Sequence, residues 1–590
     1  MRRWLVPPAV AILTAVAFLP TLSGSFLNWD DNVNFLENPA YRGLALEQVR
    51  WAFTSVSFGH YIPLTRLTWS LNWVLGGMSP WGYHLVNLLL HAVNAALFYL
   101  VARRLLAASV ADGAQAGRRG ADLCAGAAVA ALVFGVHPLR VEPVAWITGR
   151  PDLLCGSFVL LTTWIYLRAA ETPAARRSLI GIASVTLAAA LLSKGAALPF
   201  VGALFILDVY PLRRLRRLGV AALVREKIPL LLVTLVGAAA IIYAVRQGAV
   251  LTQISEHGGF ARISAAAHSF IIAPFRLIWP AALSPLYEMP ARISPFEPRF
   301  ALALAGVVLV TVVLVRLRQR WPGGLAGWTF SVLMLAPTSG VVRQGVDLSP
   351  DRYTYLSGMG FAVLVGGGAL GLIRLVHRGA LTRSMGWSAL LAGFLAIAGL
   401  GTATWSYGLV WRESETLWRW AIEVNPDCGV CHGKLGESAL GGAGGQTRAA
   451  EAEGLFRHAI ALRPDLPDAY YNLGTALVLQ GRYADAEAPL RSYMERAPWS
   501  PSGPERLGLV YLLQGRYEAA VPLLRTAFVL RPAAPDLRHH LVQALQGQAQ
   551  ALQAEGRGGE ADMLLAEMRV VSAIPPGATS PAPPAPSSRP

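Results

Sequence analysis

Residues 467–500 read PDAYYNLGTALVLQGRYADAEAPLRSYMERAPWS, and residues 501–532 read PSGPERLGLVYLLQGRYEAAVPLLRTAFVLRP. Set one above the other, Leu473-Gly474 falls on Leu507-Gly508 and Gly481-Arg482-Tyr483 on Gly515-Arg516-Tyr517, each pair 34 residues apart. Ala486, Leu490 and Pro498 recur as Ala520, Leu524 and Pro532 at the same spacing, and Pro464 precedes Pro498 by 34 as well. A fixed period with small residues, aromatics and a closing proline at constant offsets means one supersecondary unit repeated. No such unit buries its apolar face alone, so the units stack. Gly474 and Gly508 let paired helices approach closely and Tyr483 and Tyr517 fill the seam, which are packing roles.

The period and pattern are the tetratricopeptide (TPR) signature, a helix–turn–helix repeat. A looser copy runs from about Gly433, stretched by the insert Gly441 to Gly445, and Trp411 to Pro426 reads as the second helix of a still earlier unit. A degenerate last copy from about Pro535 to Val570 caps the stack. Residues 411–571 are therefore a TPR domain, and the Pro/Ala/Ser-rich tail 572–590 is expected to be disordered. Cys428-Gly-Val-Cys431-His432 matches the c-type haem attachment pattern. It opens a repeat helix with no axial partner evident, which favours a local disulfide or two plain thiols.

Before residue 411 the composition changes. The whole chain is 54% hydrophobic and 15% charged, with mean hydropathy +0.44, whereas soluble domains carry about 25% charged residues. The deficit lies in residues 5–409, which are apolar runs separated by short basic loops. The net charge of +16 does not indicate nucleic acid, because the arginines cluster where apolar runs end. Four cysteines are too few for a disulfide scaffold. Met1-Arg2-Arg3-Trp4 and the apolar run behind it lack an A-x-A cleavage site and read as an uncleaved first membrane helix.

A span needs about 20 apolar residues. Candidates lie near 5–22, 84–106, 123–138, 152–170, 177–193, 195–211, 228–246, 264–283, 300–318, 325–342, 356–376 and 386–409. Arginine clusters at 103–104 and 118–119, 176–177, 213–217, 316–320 and 374–383 all belong on the cytoplasmic side. They do so only if one segment does not cross. The segment 264–283, interrupted by His268, Pro274, Arg276 and Pro280, is the weakest and is expected to lie at the interface or re-enter. The expectation is an all-α chain: a polytopic membrane domain over 1–410 with about eleven spans, then the TPR solenoid, with the N-terminus cytoplasmic and the TPRs outside. Richness in Ala, Arg and Gly suggests a GC-rich bacterium, hence an inner membrane and periplasmic TPRs.

On that topology the outer loops gather the ionisable groups a bilayer excludes, and such groups usually serve a site or pair internally. The first loop holds Asn28-Trp29-Asp30-Asp31, Glu37-Asn38-Pro39 and His60-Tyr61. The second holds His137, Arg140, Glu142, Trp146, Arg150 and Asp152. Lys194 stands alone between two apolar runs, and Arg343, Asp347, Asp351, Arg352, Tyr353 and Tyr355 share a later loop. A carboxylate can take a proton from an acceptor hydroxyl, arginine and lysine can hold a departing phosphate, and aromatics can stack on a sugar. Each group also has a plainer role open to it: Asp30 as a cap or an Arg66 partner, Arg150 paired with Asp152, Lys194 snorkelling outward, Trp29 and Trp146 as interfacial anchors.

The order WDD…NP, HPLRVEPVAWITGRPDLL (137–154), SKGAALP (193–199)…LD and DRYTYL (351–356), ahead of TPRs, resembles the transmembrane-and-TPR-containing O-mannosyltransferase family of the GT-C glycosyltransferase superfamily. The resemblance implies a GT-C-like multi-helix membrane domain with long outer loops. It also implies a polyprenyl-phosphate-linked sugar as donor and a Ser/Thr hydroxyl of protein as acceptor. Carried over, it makes Asp30 or Asp31 the base and places Glu142, Arg150, Asp152, Lys194, Arg352 and Tyr353 at the substrate. Where relatives often show Lys-Glu, this chain has Lys194-Gly195 and lacks that carboxylate. No metal ligand is assigned, and a divalent-metal requirement is left open. The expected function is transfer of a mannose-like sugar from the lipid donor to a protein hydroxyl, with the TPRs binding the acceptor or a partner. The rival is a non-catalytic TPR scaffold in the membrane. A lipid-sugar transporter would carry its polar residues along the span interiors instead.

Overall fold

The computed structural model describes residues 3–573 except 57–58, 111–115, 248–257, 291, 340–346, 443 and 533. Arg343 and the tail from residue 574 lie outside the described residues. Among the described residues every regular element is helical, and the single extended pairing is an isolated bridge between Glu288 and Asp347. The chain divides into two compact units, Met1–Trp420 and Ala421–Pro590, the division falling inside the helix Ser414–Val424.

The first unit is built from α1 (Val6–Ala17), α2 (Pro63–Gly76), α3 (Pro80–Ser109), α4 (Ala116–Gly135), α5 (Arg150–Glu171), α6 (Arg176–Ser193), α7 (Phe200–Val209), α8 (Arg214–Gln247), α9 (Gly259–Ile278), α10 (Pro298–Arg316), α11 (Pro322–Leu335), α12 (Thr354–His377) and α13 (Arg383–Val410). By length and composition, seven helices among the described residues can cross a membrane. An eighth is possible if Gly120–Gly135 and Pro138–Ala145, bent by 56°, count as one span. The hydropathy pattern leads to an expectation of eleven, and the difference has a local cause. Segments 5–22 and 195–211 and the described part of 325–342 do form helices, but proline interrupts each one. Pro20 sits in a 3-10 turn directly after α1, Pro199 precedes α7, and Pro322 and Pro337 bracket α11. At 1.5 Å per residue the 12 residues of α1 span about 18 Å, short of a ~30 Å hydrocarbon core. The helix α9, with Pro274 inside it, is not among the crossing candidates.

Lipid supplies no hydrophobic drive between helices, so close packing does. At the α4–α12 crossing a Cβ on Gly366 would lie 2.5 Å from the Gly126 carbonyl oxygen. On the outside α13 exposes Leu390, Leu391, Phe394 and Leu395, a face suited to lipid. The polar loop after α1 carries its own small core of Phe35, Tyr41, Ile62, Trp69, Tyr83 and Ile147.

The second unit stacks α14 (Gly429–Gly441), α15 (Ala449–Leu462), α16 (Pro467–Leu479), α17 (Tyr483–Arg496), α18 (Ser502–Leu513), α19 (Tyr517–Leu530), α20 (Pro535–Ala554) and α21 (Gly558–Ala573) in antiparallel pairs. Two pairs close at the expected glycines, Gly474 and Gly508, and the pair before them closes at Gly436. An added Cβ at Gly474 would meet Leu490 at 2.6 Å, at Gly508 Leu524 at 2.7 Å, and at Gly436 Phe456 at 2.6 Å. Gly481 and Gly515 turn the chain between helices at φ 74° and 72°, where a side chain would be strained. Gly556, at φ 78°, repeats the turn after a first helix stretched to 20 residues. Tyr517 packs on Gly547, so the degenerate last copy does close the stack. Cys428 and Cys431 form a disulfide, and Cys428 caps α14.

Candidate active site

Prolines at 138, 143 and 151 break the chain after α4 into a 3-10 turn (Pro138–Arg140), a short helix (Val141–Ala145) and a second 3-10 turn (Ile147–Gly149) before α5 begins. This folded segment is the hub where the other loops meet. The Thr148 backbone N–H and hydroxyl donate to Asp31 Oδ1 at 3.0 and 2.6 Å, and the Leu27 N–H donates to Oδ2 at 3.0 Å. The Trp146 indole donates to the Trp29 carbonyl at 2.7 Å. The Arg352 backbone N–H donates to Glu142 Oε2 at 2.7 Å, while its guanidinium pairs with Oε1.

Asp31 is fully buried, and burial raises its carboxyl from 3.8 to about 7 despite those hydrogen bonds. It staples the first loop to the hub and is not presented to a substrate. Its neighbour Asp30 is only part-buried and sits at φ 67°, a left-handed conformation that costs a non-glycine residue energy. Beside it the Trp29 indole nitrogen is buried without a hydrogen-bond partner among the described residues, a donor open to a ligand.

Lys194 ends α6 in an extended conformation and pairs with Asp152 Oδ2 at 2.6 Å. Its ammonium lies 5.8 Å from the Tyr353 ring centre, and the Arg352 guanidinium lies 5.1 Å from the same ring and 5.3 Å from that of Trp146. Glu142, Asp152, Lys194, Arg352 and Tyr353, read as one group from the sequence, are thus brought together. The two cations keep donors in reserve. An ammonium has three and a guanidinium five, and each side chain is about 15% exposed.

Arg150 is placed differently from the residues it was grouped with in the sequence. It neither pairs with Asp152 nor reaches this cluster. Fully buried, it donates to Asn87 Oδ1 (2.8 Å), the Thr68 carbonyl (3.1 Å) and the Tyr83 carbonyl (3.0 Å), bracing α2, α3 and α5. His137 is likewise internal, its ring bonded to the Leu277 carbonyl at 3.1 Å and to the Leu139 N–H.

Three further residues of the later loop, Asp351, Tyr355 and Asp347, have surroundings that the sequence did not foretell. Asp351 is held by Arg276 at 3.3 Å and by the Tyr287 hydroxyl at 3.1 Å. Tyr355 is fixed by His91 and Asn94 of α3, both at 2.9 Å, and lies so close to Gly156 that a Cβ there would come within 2.5 Å of its ring. Asp347, its side chain 7% exposed, lies 3.8 Å from Arg352, and its Oδ2 has no hydrogen-bond partner among the described residues. Burial lifts its carboxyl to about 8. His91 and Asn94 were readable as polar residues inside an apolar span. The Arg276–Asp351 pairing, 75 residues apart, was not. Among the described residues no three His, Cys, Asp or Glu side chains are grouped to hold a metal ion.

Comparison with known proteins agrees with both halves of the reading. The tetratricopeptide repeat family model matches residues 445–501. The chain resembles the protein O-mannosyl-transferases. It is 35% identical over 164 residues to Protein O-mannosyl-transferase Tmtc1 of Drosophila melanogaster, covering 26% of this chain and 17% of that one. It is 38% identical over 165 residues to Tmtc2 of the same organism (26% and 16%) and 37% identical over 118 residues to TMTC2 of Homo sapiens (20% and 12%). The match thus spans less than a fifth of each of these relatives. Among solved structures, MamA is similar at 18% identity over 27% of this chain and 86% of its own (TM-score 0.23). A thermophilic TPR protein of Thermus thermophilus is similar at 19% identity over 30% and 96% (TM-score 0.20). The chain is an integral membrane protein with a TPR array.

Proposed function

We propose that this protein is a glycosyltransferase that moves a mannose-like sugar from a polyprenyl-phosphate carrier to a hydroxyl of a protein acceptor. The reaction takes place on the outer, periplasmic face of a bacterial inner membrane, and the TPR unit binds the acceptor. The observation that carries the reading is the placing of Lys194 and Arg352 around Tyr353, both with spare donors, on the hub that also ties down the Asp30 loop. Asp152 and Glu142 orient the two cations. The protein matches relatives named protein O-mannosyl-transferases, which supports the same chemistry.

In the reaction the acceptor O–H gives its proton to Asp30, and the freed oxygen bonds to the anomeric carbon. The bond from that carbon to the phosphate oxygen breaks with its electron pair, and Lys194 and Arg352 take up the charge on the departing lipid phosphate. Attack opposite the leaving group inverts the anomeric centre. Asp30, rather than Asp31, is the base because Asp31 is spent on three loop contacts.

The test is release of polyprenyl phosphate from liposomes holding the protein, a polyprenyl-phosphate sugar and an acceptor extract. Asp30→Asn should lower the rate by about 10²–10⁴-fold, the usual contribution of a general base. Lys194→Gln should lower it too, with a weaker donor interaction. Equal rates for wild type and Asp30→Asn would move the base elsewhere. No release with any donor would favour the membrane scaffold.

A further inference from the structure

A second site is indicated at the opposite end of the membrane unit. A groove of about 540 Å³ runs between α3, α5, α7, α11 and α12, within the range of about 300–1,000 Å³ that ligand sites occupy. Its walls are apolar, with Phe98, Val159, Phe330 and Met359 among them, and at one end stand Arg320 and Arg374. Arg374 lies 20 residues along α12 from Thr354, so this end is about 30 Å of helix away from the Lys194–Arg352 cluster. Neither arginine has an acidic partner among the described residues.

Two glycines show that the space is kept open for something other than a neighbouring helix. Gly366 of α12 packs so tightly on Gly126 that no Cβ fits, yet Gly368 and Gly371, which line the groove, would place a Cβ with nothing within 4 Å. Glycine is a poorer helix former than alanine. Here that cost wins no helix–helix contact.

We infer that this groove holds one anionic phospholipid, an acyl chain lying against α12 and the phosphate headgroup between Arg320 and Arg374. The charge at the mouth selects the headgroup, and the apolar length selects a chain. The length of α12 separates this headgroup from the phosphate of a sugar donor held at the Lys194–Arg352 cluster.

The test is native mass spectrometry of the whole protein ejected from nanodiscs of equimolar phosphatidylcholine and phosphatidylglycerol. One retained lipid is expected, with phosphatidylglycerol favoured by about 25-fold, since each of the two basic side chains at an anionic lipid contributes roughly fivefold. Arg320→Gln with Arg374→Gln, both near the surface, should bring the preference to parity while the protein stays folded. Gly368→Leu with Gly371→Leu should fill the groove and remove the retained lipid with helix content unchanged by circular dichroism. Equal retention of both lipids by wild type, or a lipid still held in the leucine variant, would overturn the inference. So would displacement of the phosphatidylglycerol by added polyprenyl phosphate, which would assign the groove to a donor chain.

Discussion

The two units spend arginine in opposite ways. In the repeat unit Arg482 pairs with Glu453 at 2.7 Å and Arg516 with Glu487, the same contact one period later, with both arginines more than 40% exposed. In the membrane unit Arg66, Arg140 and Arg150 are at most 1% exposed, and their partners are mainly carbonyls, a hydroxyl and an amide. An exposed ion pair gains about 0–1 kcal/mol, because water already solvates both ions. A buried guanidinium has no water to return to, so each unmatched donor and each abandoned acceptor costs the full desolvation penalty. The same residue type decorates one unit and holds the other in register.

The sharpest test of that contrast is Arg150→Ala. It strands the Asn87 amide oxygen and the carbonyls of Thr68 and Tyr83 in the interior. The expected loss is about 3–5 kcal/mol, read as collapse of the folded fraction after detergent extraction. Arg150→Lys should fare little better, since one ammonium cannot reach three acceptors set for a planar fork. If Arg150→Lys folded normally and weakened only donor use, Arg150 would be a substrate ligand after all, as the sequence first suggested.

A smaller loss is expected from Gly474→Val. Even the first added carbon would sit 2.6 Å from Leu490 Cγ, and overpacking of this kind costs about 1–3 kcal/mol. Thermal melting of the full chain, followed by limited proteolysis to see which unit is cut, would place the damage in the repeat unit. The buried carboxyls add a pH dependence. Asp31 and Asp347 have folded values of about 7 and about 8 against 3.8 unfolded. The folded state therefore binds protons more tightly, and these groups lower stability progressively as pH rises from about 4 to about 8. Melting temperature should fall over that window, and Asp31→Asn should flatten part of the slope. A slope that Asp31→Asn leaves untouched would show that the loop staple is ionised and stabilised by its hydrogen bonds.

What could be read in advance follows the same division. The repeats were legible because each unit faces the same problem every 34 residues, so the solution recurs in the letters, down to Gly481 and Gly515. Spans were legible as apolar runs, but the prolines at 20, 199 and 337 interrupt three of them, a local backbone effect that hydropathy averages away. The site was legible as a set of misplaced polar residues but not as a set of partners. Nothing in the spacing says that Lys194 meets Asp152 while Arg150 turns inward, because those choices are made where helix ends cross. The split between Asp30 and Asp31 was hidden for the same reason: adjacent residues face different surroundings once Thr148 claims one of them.

The weakest expected effect completes the comparison. Arg516 bonds Glu487 and the Gln514 side chain and stacks on Tyr511 at 4.3 Å, while its own side chain stays 49% exposed. Arg516→Ala should cost no more than about 1 kcal/mol, and a double-mutant cycle with Glu487→Gln should return a coupling of about 0.2–1 kcal/mol that fades with added salt. The period-34 recurrence of the pair makes this a demanding case, since a contact repeated along a solenoid could be cooperative even where each copy is exposed. A coupling above about 2 kcal/mol, insensitive to salt, would mean that the repeat seam shields these charges as the membrane unit shields its own. Burial, and not location in or out of the membrane, would then be what sets the value of an arginine in this chain.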